Sequence, residues 1–180
     1  METAADISRI IDKSRELERS GEIAGSLRLA SQACALAHAH SDPELEAVAL
    51  NALTYAHIRL GHYMQAQRFC QKVLTLAGDE SPARVDALLN LGICAGETDD
   101  LETLYAFTQQ AVDLSRQIGY DRALVRGLHS LACTVYVPRG QFDLALAVDA
   151  EALHLSLIHI SEPTRLLSIS YAAFCLKKKK

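Results

Sequence analysis

The chain has 180 residues, with 18 Lys and Arg against 22 Asp and Glu and a formal net charge of −4, a length that holds one domain or two small ones. An apolar content of 49% supplies a core and excludes wholesale disorder. Four Pro, nine Gly and no Trp, with Ala and Leu abundant, favour helix over an all-β fold, and the acidic balance argues against direct nucleic acid binding.

Apolar spacing and end signals predict eight helices, at about 3–19, 22–38, 43–59, 62–77, 82–96, 101–118, 122–137 and 141–154. The i, i+3, i+4, i+7 pattern is clearest in Leu50, Leu53, Thr54 and His57, and again in Phe69, Cys70, Val73 and Leu76. Ser41 with Glu44 reads as a capping box, with Pro43 in the first turn. Ser81-Pro82 repeats that start, Asp121 takes the same role before 122–137, and Pro138 marks where that helix stops.

Between the helices of each predicted pair lies a recurring turn. Its copies are Gly21-Glu-Ile-Ala-Gly-Ser26, Gly61-His-Tyr-Met-Gln-Ala66, Asp99-Asp-Leu-Glu-Thr-Leu104 and Gly140-Gln-Phe-Asp-Leu-Ala145, spaced 40, 38 and 41 residues apart. The Gly takes the left-handed conformation that ends the first helix. Tyr63 and Phe142 are expected to plug the gap between paired helices, and Ser26, Ala66 and Ala145 to let the backbones approach. Leu104 breaks that rule, so the third repeat is expected to splay. The fourth carries one extra residue before its turn. One such pair cannot bury its own apolar stripe, so neighbours must stack.

Residues 155–180, LSLIHISEPTRLLSISYAAFCLKKKK, resemble the conceptual translation of a transposase-type sequencing adapter running into an A-tract, with Ala173 where the adapter encodes Val. The segment is read as a non-native tail, not a domain. Residues 1–154 alone carry 13 Lys and Arg against 21 Asp and Glu, net −8. They are expected to be an N-terminal fragment of a longer gene product.

The turn and the Leu-x-x-Leu helix before it resemble tetratricopeptide repeats over residues 6–154. A period near 40 also admits HEAT or armadillo repeats, but the Gly-x-aromatic-x-x-Ala turn favours the first. The stretch from Arg116 to Ala132, RQIGYDRALVRGLHSLA, is similar to the longer repeats of bacterial MalT-like arrays in LuxR-type regulators. The resemblance implies an all-α, right-handed alpha-alpha superhelix, a solenoid of about four helix pairs, in one domain over 1–154. Its repeats would be about 6–42, 43–81, 82–120 and 121–154. The first departs most, with Lys13 and Ser14 where Leu and a small residue are expected, as suits a polar end cap.

No dinucleotide, phosphate-loop, zinc-protease or nucleophile-elbow motif is present, so the chain is read as a non-enzyme without cofactor or metal. Cys34 and His38 stand at i, i+4, the spacing of a metal pair, but without a second pair they read as core and solvated face. Asp99, Asp100 and Glu102 read as a solvated loop rather than a calcium site. The five scattered cysteines, Cys34, Cys70, Cys94, Cys133 and Cys175, read as small apolar residues of a reducing cytoplasm. No apolar run approaches the ~18–20 residues of a membrane span, and the opening METAAD lacks the basic and apolar regions of a secretory leader.

In tetratricopeptide arrays the first helix of each pair lines the concave surface. On that resemblance the candidate partner-binding residues are Arg15, Arg19, Asn51, Tyr55, Arg59, Leu89, Ile93, Arg126, His129 and Tyr136. Four Arg in an acidic chain suit an acidic or carboxylate-bearing peptide; the plainer reading is solvation and helix-face pairing, as of Glu18 with a nearby Arg. The Lys/Asn clamp of chaperone-binding members is not reproduced. The expected role is a cytoplasmic protein-interaction scaffold or sensor, as the N-terminal part of a bacterial transcriptional regulator. The alternatives are the regulatory array of a signalling enzyme, such as a nucleotide cyclase or histidine kinase, and a free-standing adaptor.

Overall fold

The computed structural model describes residues 2–158. The segment read as adapter-derived lies outside the described residues from 159 onward. Among the described residues the regular elements are α1 (Ala4–Arg19), α2 (Ile23–His40), α3 (Pro43–Arg59), α4 (Tyr63–Leu76), α5 (Pro82–Gly96), α6 (Leu101–Ile118), α7 (Asp121–Ser130), a π-helical segment (Leu131–Tyr136) and α8 (Phe142–Ile158). The last runs four residues into the segment set aside in the sequence. None of these helices is long and apolar enough to cross a membrane.

The residues capping the first helices of the four pairs are Thr3, Asp42, Ser81 and Tyr120, each 39 residues after the last. Thr3 forms a full capping box with Asp6. Two expected caps are corrected. Asp42, not Ser41, caps α3, its carboxylate accepting the Glu44 and Leu45 N–H groups; Pro43 fills the first helical position, and Ser41 becomes the left-handed end of α2. Tyr120, not Asp121, precedes α7 and offers no side-chain cap, and Asp121 adds its charge inside the first turn. Ser81 caps α5 as read.

The turns behave as the sequence requires. Gly21, Gly61 and Gly140 have φ of 87°, 75° and 71°, and Asp99, their counterpart, has 59°. Ser26, Ala66 and Ala145 are buried at the seams. Ser14, the polar departure in the first repeat, is buried too and donates from Oγ to the Ser26 carbonyl at 2.9 Å. Leu104 is taken up by a size exchange: in repeat two Ile58 packs with Ala66, whereas in repeat three the bulk is Leu104 and the space is Gly96. A Cβ on Gly96 would lie 2.6 Å from Leu104 Cδ1. The expected plug at Phe142 is corrected: its ring is 43% exposed. Tyr63 does pack, on the Ile58, Ala66 and Cys94 cluster, with α5 as its cover.

The described residues divide at Phe107 and Thr108 into two compact units, the division running through α6. In the first, α1 packs on α2, α2 on α3, α3 on α4, and α4 on α5, while α3 also touches α1 and α5. Its core is rich in alanine. Ile7, Ile11 and Leu53 meet Ala30, Ala33, Ala37, Ala49 and Ala52; Leu50, Val73, Cys70 and Leu91 meet Ala47, Ala77, Ala83 and Ala87. Small side chains on one helix accept large ones from the next, which gives close helix approach at full packing density. In the second unit α7 and the π-helical segment pack on α8.

Candidate functional site

α3 is largely enclosed, with ten buried residues, as many as α5. Its neighbours α1 and α5 lie to either side, so only a narrow strip reaches solvent. Tyr55, half-buried, and Arg59, exposed, lie one turn apart on that strip. Arg59 donates from Nη1 to Glu18 Oε1 at 2.6 Å, joining the last turns of α3 and α1. Glu18 keeps only 13% of its side chain exposed, against 47% for Arg59. Next to Glu18, the exposed Arg19 donates from Nε to the Arg15 carbonyl at 3.2 Å, and the Arg15 guanidinium reaches Asp12 at 3.4 Å. The Glu18 pair thereby brings Arg59 beside the C-terminal part of α1, which carries Arg15 and Arg19.

Two candidates are corrected. Asn51 is 5% exposed, and its Nδ2 donates to the Ala83 carbonyl at 2.8 Å, tying α3 to the first turn of α5. Leu89 is 4% exposed. Asn51 is core because α3 is covered by α1 on one side and α5 on the other, which narrows its open strip below what a lone amphipathic helix would show. Asn51 Oδ1 and Asn90 Oδ1 are buried without a hydrogen-bond partner; both residues stand nine positions after a capping residue. Ile93, half-buried, leans on the Ile58 cluster with Tyr63.

Arg126, His129 and Tyr136 belong to the second unit and are half-buried. His129 is turned to its own pair: Nδ1 lies 3.5 Å from Asp149 Oδ1 on α8, and the Cys133 thiol stands 3.8 Å from both ring nitrogens. That carboxylate, mostly covered itself, draws the imidazole toward α8.

The sequence pairs Glu18 with a nearby Arg on its own helix face, whereas its partner is Arg59 of the next repeat; the Tyr63 hydroxyl donating to Glu97 at 3.0 Å was not foreseen. The signal was available. Stacked repeats place residues about one period apart side by side, so Glu18 and Arg59, 41 apart, are as much neighbours as an i, i+4 pair. Burial pushes the Cys34 and Cys70 thiols up to about 12 and Cys94 to about 11, which leaves them as inert packing groups. Among the described residues no group of three or more His, Cys, Asp or Glu is placed to hold a metal ion.

No family model and no curated protein matches the chain. Solved structures do. The TPR-like repeats of a protein assigned as a kinesin light chain from Podosopora anserina match with a TM-score of 0.66, and a point variant of it with 0.67. Identity is 16% in each case, with 99% of this chain and 90% of that chain covered. At that identity the likeness shows the fold, an all-helical solenoid of tetratricopeptide-like repeats.

Proposed function

We propose that the chain is a protein-interaction scaffold or sensor module acting in the cytoplasm, as the N-terminal part of a bacterial transcriptional regulator. What carries the reading is the strip on α3: on a helix with ten buried residues, a half-buried aromatic ring and an exposed guanidinium paired with Glu18 reach solvent one turn apart. Aromatic and Arg side chains dominate interface energies when a partner desolvates them. The regulator context rests on the resemblance of residues 116–132 to MalT-like repeats. Arg15, Arg19 and Arg59 favour an acidic peptide, and Glu18 marks a place where a carboxylate is already accepted.

The test is capture of acidic and neutral peptides from an immobilised library. Acidic peptides bind preferentially, and affinity falls as salt rises. Replacing Tyr55 and Arg59 together by Ala weakens capture by about 2 kcal/mol or more. A thermal melt of the variant controls for the fold, because Arg59→Ala leaves the mostly covered Glu18 carboxylate without its partner. Arg68→Ala, on the exposed side of α4, changes little. Normal binding by the Tyr55/Arg59 variant, with loss in Arg68→Ala, would place the interface on the second helices instead.

A further inference from the structure

The turn inside each of the four helix pairs closes with the same backbone bond. The N–H groups of Glu22, His62, Asp100 and Gln141 donate to the carbonyls of Leu17, His57, Ala95 and Tyr136, at 2.8, 2.9, 3.0 and 2.9 Å. This six-residue closure brings the two side chains at its ends together, ordinarily as an apolar contact. Three of the pairs, Leu17/Glu22, Ala95/Asp100 and Tyr136/Gln141, offer no two metal-ligating side chains. The fourth is His57/His62. Its Nδ1 atoms stand 3.4 Å apart, and its rings are 5.6 Å apart by centroid and tilted by 45°.

That separation has a chemical meaning. Two imidazole nitrogens on one tetrahedral Zn(II), each at 2.0–2.1 Å, lie about 3.3 Å from one another. The turn has already set the bite, and the Phe69 ring, 5.3 Å from His57 by centroid, restrains one of the two rings. We propose that His57 and His62 form a two-imidazole site for a divalent transition metal ion of the zinc class at the turn of repeat two. Imidazole donors select this class over the hard cations, which take oxygen ligands. With no third ligand in place among the described residues, water completes the coordination. The site is therefore open and reversible rather than a folding core. Bound metal joins the last turn of α3 to the residue that precedes α4, so it rigidifies the turn.

The experiment is calorimetric titration of the untagged chain with Zn(II), alongside thermal melts with and without the ion. The expected result is one site per chain and a melting temperature raised by Zn(II). Either His57→Gln or His62→Gln leaves a single imidazole, weakening binding at least about tenfold and abolishing the thermal shift. His38→Gln, at a largely exposed ring elsewhere, binds as the unaltered chain does. His62 is exposed, so its variant decides the matter even if the half-buried His57 variant folds poorly. Absence of Zn(II) binding, or binding unchanged in His62→Gln, overturns the proposal and leaves the 3.4 Å contact as a hydrogen bond between neutral rings.

Discussion

Glu46 is 7% exposed on α3, yet it accepts hydrogen bonds from Lys72 of α4 and His38 of α2, so one carboxylate ties three helices. The Lys72 bond, helped by His38 and opposed by burial, holds its pKa below the ordinary carboxylate value. A depressed folded pKa stabilises the fold above the unfolded value near 4.5, and that stability is lost as pH falls through the folded value. Denaturant melts between pH 7 and pH 3 should therefore show a steeper acid loss in the native chain than in Glu46→Gln. At pH 7 the substitution should cost about 1–3 kcal/mol; Lys72, half-exposed, is rehydrated rather than stranded. An equal acid slope in both chains would remove Glu46 from the account. The alanine seams, the left-handed glycines and the exposed Arg59 were all legible at this scale. The burial of Asn51 was not, because its side chain is held by the Ala83 carbonyl of the next repeat and not by its own helix.

Helix positions follow from short-range signals, and six of the eight predicted segments match within about two residues, the usual uncertainty of helix ends. Both exceptions are in repeat four: the segment expected at 122–137 is α-helical only to Ser130, and the last runs to Ile158 rather than 154. From capping residue to left-handed residue the four repeats span 18, 19, 18 and 20 positions. The extra residue, expected to lengthen the stretch before Pro138, is absorbed by the π-helical segment, where Val137 N–H reaches back five residues to the Ala132 carbonyl at 3.0 Å. A π-turn takes in one inserted residue while keeping both flanks in register, so Leu131, Ala132 and Val135 stay buried. Deleting the exposed Thr134 should therefore convert the segment to α-helix. The melting temperature should hold to within a few degrees, a change of about 1 kcal/mol or less. Deleting Ala49 from the α3 interior should instead rotate a buried helix out of register and cost well over about 3 kcal/mol. Comparable losses from the two deletions would mean that the π-turn is not a register device.

Within each unit, stacked repeats make stability a sum of contacts between neighbours. Ile11, 1% exposed among alanines of α2 and α3, tests this. Ile11→Ala should cost about 2–4 kcal/mol, and native-state hydrogen exchange should show lost protection in α1 to α3 while α7 and α8 keep theirs. Uniform loss throughout the chain would mean a single cooperative unit. The amino-acid sequence by itself determined the all-helical fold, the repeat, the turn conformations and most helix limits, because caps, left-handed turns and apolar periodicity act within a few residues of one another. Only the tertiary structure decided which part of each first helix stays open, that Glu18 meets Arg59, that Gly96 makes room for Leu104, and that His57 faces His62. These depend on how one helix lies against its neighbour and on which rotamers that packing selects, and no window of a single helix contains that information.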